Sequence, residues 1–160
     1  MKKEIEIKMS TAALYDYLLY HTYTGMQGLI GTFVGALMIV SFLMGNGIIF
    51  LILGIIIIVY LPWSLFLKAG LQMKGNKAFQ KPLHYTFSNE GISVSQGSVE
   101  EMQKWEDMYK AVSTTMSIIV YTSKFNATIL PKSQLGNDKV EIIKIISTHM
   151  NPKKVKIRFV

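Results

Sequence analysis

At 160 residues the chain has room for one domain, or for a smaller domain joined to a membrane segment. Half of the residues are hydrophobic, only 17% are charged, the formal net charge is +7 and the mean hydropathy is +0.31, which exclude both a disordered chain and an ordinary soluble surface. The absence of cysteine excludes a disulfide scaffold, a thiol nucleophile and any thiolate-held metal or iron–sulfur centre.

The first segment, residues 1–24, reads as a strand and a helix. Between Lys3 and Met9, Ile5, Ile7 and Met9 alternate with Glu4, Glu6 and Lys8, the pattern of a half-buried strand. Ser10 or Thr11 is placed to cap a helix running through Leu14 and Leu18 to the membrane surface.

Residues 25–67 follow. No Lys, Arg, Asp or Glu occurs from Tyr17 to Leu67, so a helix there has no polar face to turn to water. Crossing a hydrocarbon core takes roughly 20 helical residues, and Gly45-Asn46-Gly47 is the turn that divides this stretch into two spans, Gln27–Met44 and Ile48–Leu67. So short a connection makes an antiparallel helical hairpin, since backbone amides in lipid must bond within helices. Tyr20, Tyr23, Tyr60 and Trp63 suit an interfacial aromatic belt. A cleaved signal sequence is the competing reading of the first span, rejected because some 25 residues precede it and a second span follows. Gly28, Gly31 and Gly35 put small residues on one helix face, for close packing on the second helix near Gly54 or for homodimerisation. Pro62 either kinks the second span or lies where it meets the headgroups. No acid or base lies in the spans to form a proton relay or ion path.

Residues 68–82 form a basic juxtamembrane linker: Lys68, Lys74, Lys77 and Lys81 come with no acid, the pattern of a segment retained in the cytoplasm. Both chain ends are then expected on the cytoplasmic side of a cell membrane. Six lysines against seven acids nearly balance over residues 83–150, and the tail 151–160 adds Lys153, Lys154, Lys156 and Arg158, suited to anionic lipid. The lipid bilayer is thus the expected partner; the basic residues lack the aromatic interleaving of a nucleic-acid surface.

Residues 83–150 read as an α+β domain. Leu83–Phe87 and Ile92–Ser95 pair about the turn Ser88-Asn89-Glu90-Gly91, and Gly97-Ser98 turns again into Val99–Lys104. Short strands follow at Tyr109–Thr114, Ser117–Ser123 and Ala127–Leu130, ended by Pro131. Asn137 or Asp138 starts a helix with Val140, Ile143, Ile146 and Met150 at helical spacing, which covers an open edge or mouth of the sheet. The expected fold class is therefore a membrane helical hairpin plus an α+β domain of short antiparallel strands closed by a C-terminal helix.

No catalytic, cofactor or metal constellation stands out. His21, His84 and His149 lack metal-ligand spacing, and Gly91-Ile92-Ser93-Val94-Ser95 misses a nucleophile elbow at its last position. Gly75-Asn76-Lys77 lacks the rest of a phosphate-binding loop, and Glu100-Glu101 and Glu106-Asp107 have no histidine partner. Trp105 is read as the core anchor of the soluble domain rather than a ligand contact. Lys104, Lys110, Lys124 and Lys132 are the candidates for an anion site, although acids are interspersed among them.

Three motifs carry a family resemblance: Tyr85-Thr86-Phe87-Ser88-Asn89-Glu90-Gly91-Ile92, Trp105-Glu106-Asp107-Met108-Tyr109-Lys110-Ala111-Val112, and Ile129-Leu130-Pro131-Lys132. In this succession the chain resembles the YcxB-like family of small membrane proteins, found mainly in Gram-positive bacteria. The resemblance implies a two-helix hairpin and a C-terminal domain related to pleckstrin-homology (PH-like) folds. Gln134-Leu135-Gly136 replaces the large residue usual after the Pro-Lys pair, and the basic tail extends past the usual final helix. The expectation is a non-enzymatic membrane protein without cofactor, presenting its PH-like domain as an interaction or scaffold module. A bacteriocin-immunity type of membrane protein and an accessory transporter subunit docked through Gly28, Gly31 and Gly35 are the alternatives; a membrane-protein partner or a homodimer fits each.

Overall fold

The computed structural model describes residues 2–157, organised as two compact units. One joins the chain up to Tyr17 with the chain from Met73 onward; the other is Leu18–Gln72.

The first unit is an α+β domain with two four-stranded sheets. In the first sheet β1 (Lys3–Ile7), β2 (Leu83–Phe87), β3 (Gly91–Gln96) and β4 (Val99–Lys104) follow in spatial order, all antiparallel. Ile7 lies opposite Leu83, Ile5 opposite Tyr85, and Phe87 opposite Ile92, so one face collects the apolar side chains. The opposite face carries Glu4, Glu6, His84, Ser93 and Glu100. In the β2–β3 turn, the Ser88 Oγ accepts from the amides of Glu90 and Gly91. Gly91 is required because a Cβ there would overlap the carbonyl of Gln103 on β4.

The second sheet has the order β7-β6-β5-β8, from β5 (Lys110–Ser113), β6 (Ser117–Tyr121), β7 (Ala127–Pro131) and the two-residue β8 (Val155–Lys156). The first three are antiparallel, whereas β8 runs parallel to β5, Val155 opposite Ala111. All five β6 residues are buried, the signature of a strand covered on both faces.

Two short helices, α4 (Lys77–Gln80) and α5 (Lys132–Leu135), three 3₁₀ turns and the longer α6 (Lys139–His149) accompany the sheets. Ile142, Ile143, Ile145 and Ile146 of α6 are buried in one core with Phe87, Ile92, Trp105, Ile118, Val120 and Leu130 from both sheets. Val140, expected on the buried face, is instead 65% exposed, because the buried Ile142, Ile143, Ile145 and Ile146 centre on the opposite side of α6. Asp138 makes no capping bond to α6; its carboxylate pairs with Lys3 of β1 at 2.7 Å, and Glu141 joins at 3.3 Å, tying the first strand to the last helix.

The second unit contains the end of α1 (Thr11–Tyr23), all of α2 (Met26–Leu43) and most of α3 (Ile49–Gly75). The Ser10 Oγ accepts from the Ala13 amide at the start of α1. Both α2 and α3 are long and apolar enough to cross a membrane. Gly45, at φ +92°, makes the turn between them, and Asn46 donates to both the carbonyl and the Oγ of Ser41. Two long apolar helices with a small α+β domain are thus the architecture of the chain. One boundary differs from expectation: α3 does not stop at Leu67 but continues through Lys68 and Lys74, so part of the segment read as a linker is helix. Pro62 lies inside α3.

Candidate functional site

The surface of the α2–α3 pair is its most distinctive feature. Leu29, Ile30, Phe33, Leu37 and Val40 of α2, and Ile52, Ile55, Ile56, Val59 and Trp63 of α3, are exposed, while only Gly28 and Gly35 of α2 are buried. Exposed apolar patches of this extent do not persist in water and mark a membrane or partner surface.

The glycines divide into three roles. A Cβ on Gly35 would stand 2.6 Å from the Ile58 Cγ1 and 3.1 Å from the Gly54 carbonyl oxygen. A Cβ on Gly54 would stand 2.8 Å from both the Gly35 oxygen and the Ile39 Cγ1. These two therefore form the backbone-to-backbone crossing of α2 and α3. Gly28 faces elsewhere: its Cβ would strike the Thr22 carbonyl and Tyr23 Cα at the end of α1, so it allows the tight α1–α2 corner. A Cβ on Gly31 meets nothing within 4 Å. The glycine pattern that sequence groups on one face is split in three dimensions.

The basic residues are less uniform than their spacing suggests. Lys68, Lys74, Lys77 and Lys81 are exposed, the first two on α3 and Lys77 on α4. Lys153 and Lys156 are exposed as well, but the Lys154 ammonium donates to the Met108 carbonyl at 2.9 Å. With β8 paired to β5, and Val155 and Ile157 packed on the core, this part of the tail belongs to the domain rather than extending from it. Arg158 lies outside the described residues.

Trp105 is 5% exposed, at the start of the 3₁₀ turn Trp105–Asp107. Its Nε1 donates to the Ser88 carbonyl at 2.9 Å and its backbone amide to the Glu90 carbonyl, while its ring stacks on His149 of α6 with centroids 5.8 Å apart. The His149 Nδ1 lies 2.9 Å from the Ile145 carbonyl, which only accepts, so Nδ1 carries the proton. Beside this stack opens a cleft of about 420 Å³ lined by Asn89, Glu90, Lys104, Trp105, Glu106 and His149. Its charges are mixed and mostly exposed, with Lys104 3.9 Å from Glu106.

The four candidate anion-site lysines do not converge on one site: three have separate partners and the fourth is exposed. Lys104 faces Glu106, the Lys110 ammonium lies 4.6 Å over the Tyr121 ring, Lys132 donates to the Thr114 carbonyl, and Lys124 is exposed on the β6–β7 turn. The acids behave likewise, Glu100 accepting from Ser93 and Glu101 from Gln103. Among the described residues no three acids or histidines are grouped to hold a metal ion.

Sequence reasoning missed one cluster altogether. The Asp16 carboxylate of α1 accepts from the Thr114 hydroxyl, Thr114 Oγ1 accepts from the Ser117 amide, and Lys132 closes the set on the Thr114 carbonyl. Burial pushes the Lys132 ammonium below its ordinary range and Lys139 adds to this, while Asp16 opposes them. Next to it, the Tyr17 hydroxyl donates to the Phe125 carbonyl at 3.3 Å and its ring lies 6.0 Å from Tyr121. Together these contacts fix the first half of α1 on the second sheet. Asp16 being the last charge before the apolar stretch was the available signal, but its partner stands 98 residues away.

Neither a curated protein nor a solved structure matches the chain. The family model described as YcxB-like protein matches residues 87–146, which run from the end of β2 into α6 and take in the Trp105 and Pro131-Lys132 motifs. Over residues 87–146 the chain is thus similar to the YcxB-like family that the motifs indicate.

Proposed function

We propose that the chain is a non-enzymatic, two-span membrane protein that holds its YcxB-like domain, of PH-like kind, at the cytoplasmic face as an interaction or scaffold module. The observation that carries this reading is the exposed apolar surface of α2 and α3, uninterrupted by any charge and followed by Lys68, Lys74, Lys77 and Lys81. The domain supports it from the other side. Its polar clusters are spent on holding elements together: Asp16–Thr114–Lys132 clamps α1, and Lys3–Asp138–Glu141 joins β1 to α6.

The test is fractionation of cells expressing the full chain, followed by crosslinking in native membranes. Retention in the membrane pellet through alkaline carbonate, and one stoichiometric crosslinked protein, are expected. Release by carbonate refutes the spanning reading, and turnover of a substrate by the purified chain refutes the non-enzymatic one. A second reading, a subunit docked on a larger membrane partner such as a transporter, is favoured by Gly31, where α2 leaves open space beside the α3 crossing.

A further inference from the structure

One end of the second sheet presents an exposed aromatic ring and an exposed lysine, Phe125 and Lys124. Phe125 is 80% exposed at the tip of the β6–β7 turn, among the most exposed apolar side chains of the domain. The turn that presents it is well built: the Ser123 Oγ accepts from the amides of both Phe125 and Asn126, and the amides of Thr122 and Ser123 donate to the Asn126 carbonyl. The built turn thus holds a phenylalanine in water, and it does not stand alone, since Tyr109 is exposed at the same end of the sheet. Lys124 stands beside Phe125, exposed.

The surroundings say what covers it. The Tyr109 amide donates to the Tyr121 carbonyl, so Tyr109, 45% exposed, lies at the same end of the sheet, and Lys110 is opposite Tyr121. Lys154 reaches the Met108 carbonyl there. The acids of that neighbourhood, Glu106 and Asp107, precede Met108 in the 3₁₀ turn, and Glu106 faces Lys104. Exposed aromatic rings with ammonium groups around them match the interface of an anionic bilayer, where rings sit at headgroup level and lysines meet phosphates.

The chain also limits how far this end can be from a bilayer. The Phe125 carbonyl is held by Tyr17, and α2 begins at Met26, nine residues on. Nine residues reach about 30 Å at full extension and about 14 Å as helix, whatever the angle between the two units.

From these observations we infer that the β6–β7 turn, with Phe125 at its tip and Lys124, Tyr109 and Lys110 around it, is a membrane-surface contact that seats the YcxB-like domain on anionic lipid headgroups. The inference rests on the spanning reading of α2 and α3 and adds the orientation of the domain to it.

Since the chain has no cysteine, single nitroxide labels at Phe125→Cys, Ser98→Cys and Phe33→Cys report separately on the turn, a distant β3–β4 turn and the α2 surface. The full chain is reconstituted in vesicles of phosphatidylcholine alone or with phosphatidylglycerol, and collisions with oxygen and with a water-soluble nickel chelate are measured. In phosphatidylglycerol vesicles the label at 125 is expected to be shielded from nickel and open to oxygen, while the label at 98 stays open to nickel. Adding Lys124→Gln lowers the ratio of docked to undocked turn about fivefold, the effect of one basic charge at such a surface. If the labels at 125 and 98 are equally open to nickel while that at 33 is embedded, the inference is overturned and the spanning reading stands. If the label at 33 is open to nickel, both fail. Shielding at 125 from nickel and oxygen alike shows a protein partner instead, and equal shielding in both vesicle types removes the requirement for anionic lipid; either result contradicts the inference.

Discussion

Replacing Gly54 with alanine is expected to force the hairpin apart, while the same change at Gly31 is expected to leave it intact. The added Cβ at 54 would stand 2.8 Å from the Gly35 carbonyl oxygen and from the Ile39 Cγ1, roughly half an ångström inside ordinary contact. One of those atoms is backbone, so relief requires a shift of the helix and not a side-chain rotation. Overpacking of this kind costs about 1–3 kcal/mol. At Gly31 the new methyl meets nothing within 4 Å. Both substitutions gain the same helix propensity, about 1 kcal/mol for alanine over glycine in soluble hosts, so the difference between them isolates the crossing. Reversible unfolding of the full chain in mild detergent, followed by circular dichroism, should show Gly54→Ala less stable than Gly31→Ala by that margin. Equal stabilities, or greater damage at Gly31, would refute the Gly35–Gly54 crossing and move the close contact to the other face of α2.

Trp105→Ala should destabilise the domain by about 3–5 kcal/mol, whereas Trp105→Phe keeps most of the packing and loses chiefly the bond to Ser88, about 1 kcal/mol, both read by thermal unfolding. Asp16→Ala leaves the Thr114–Lys132 pair without its carboxylate and should cost about 1.5–3 kcal/mol, with increased proteolysis of α1 as a second readout. Burial pushes the Tyr85 phenol up to about 12, so its neutral form contributes stability that is complete below pH 10 and is lost as pH rises toward 12. Tyr85→Phe should flatten the alkaline stability profile over that window; Tyr17, shifted the same way by burial, retains part of the slope, and an unchanged profile would contradict the burial argument.

The hairpin was legible because its two determinants are local: charge depletion from Tyr17 to Leu67 and the turn at Gly45-Asn46-Gly47. The β2–β3–β4 meander was legible for the same reason, through Ser88-Asn89-Glu90-Gly91 and Gly97-Ser98. What escaped depends on distant partners. That β1 pairs with β2 across the whole apolar segment cannot be read from either strand. The strand β8 is two residues long, too short for periodicity to register, and its basic neighbours suggested a tail. The length of α3 is not marked in the sequence, because Lys68 reads as the end of an apolar helix although a lysine's aliphatic stem extends one readily. The candidate glycines shared spacing but not neighbours: spacing cannot tell that Gly35 meets Gly54, Gly28 meets α1 and Gly31 meets nothing.

The central claim is that two spans place residues before α2 and residues after α3 on the cytoplasmic side. Single cysteines at Lys3, Asn46 and Asn137, exposed to a membrane-impermeant maleimide in intact cells, test it directly, since no native thiol competes. Lys3 is on β1, Asn46 in the α2–α3 turn and Asn137 just before α6. The account predicts labelling at 46 alone before lysis and at all three afterwards. Labelling at 3 and 137 in intact cells would reverse the orientation, and labelling at just one of those two would contradict the two-span hairpin itself.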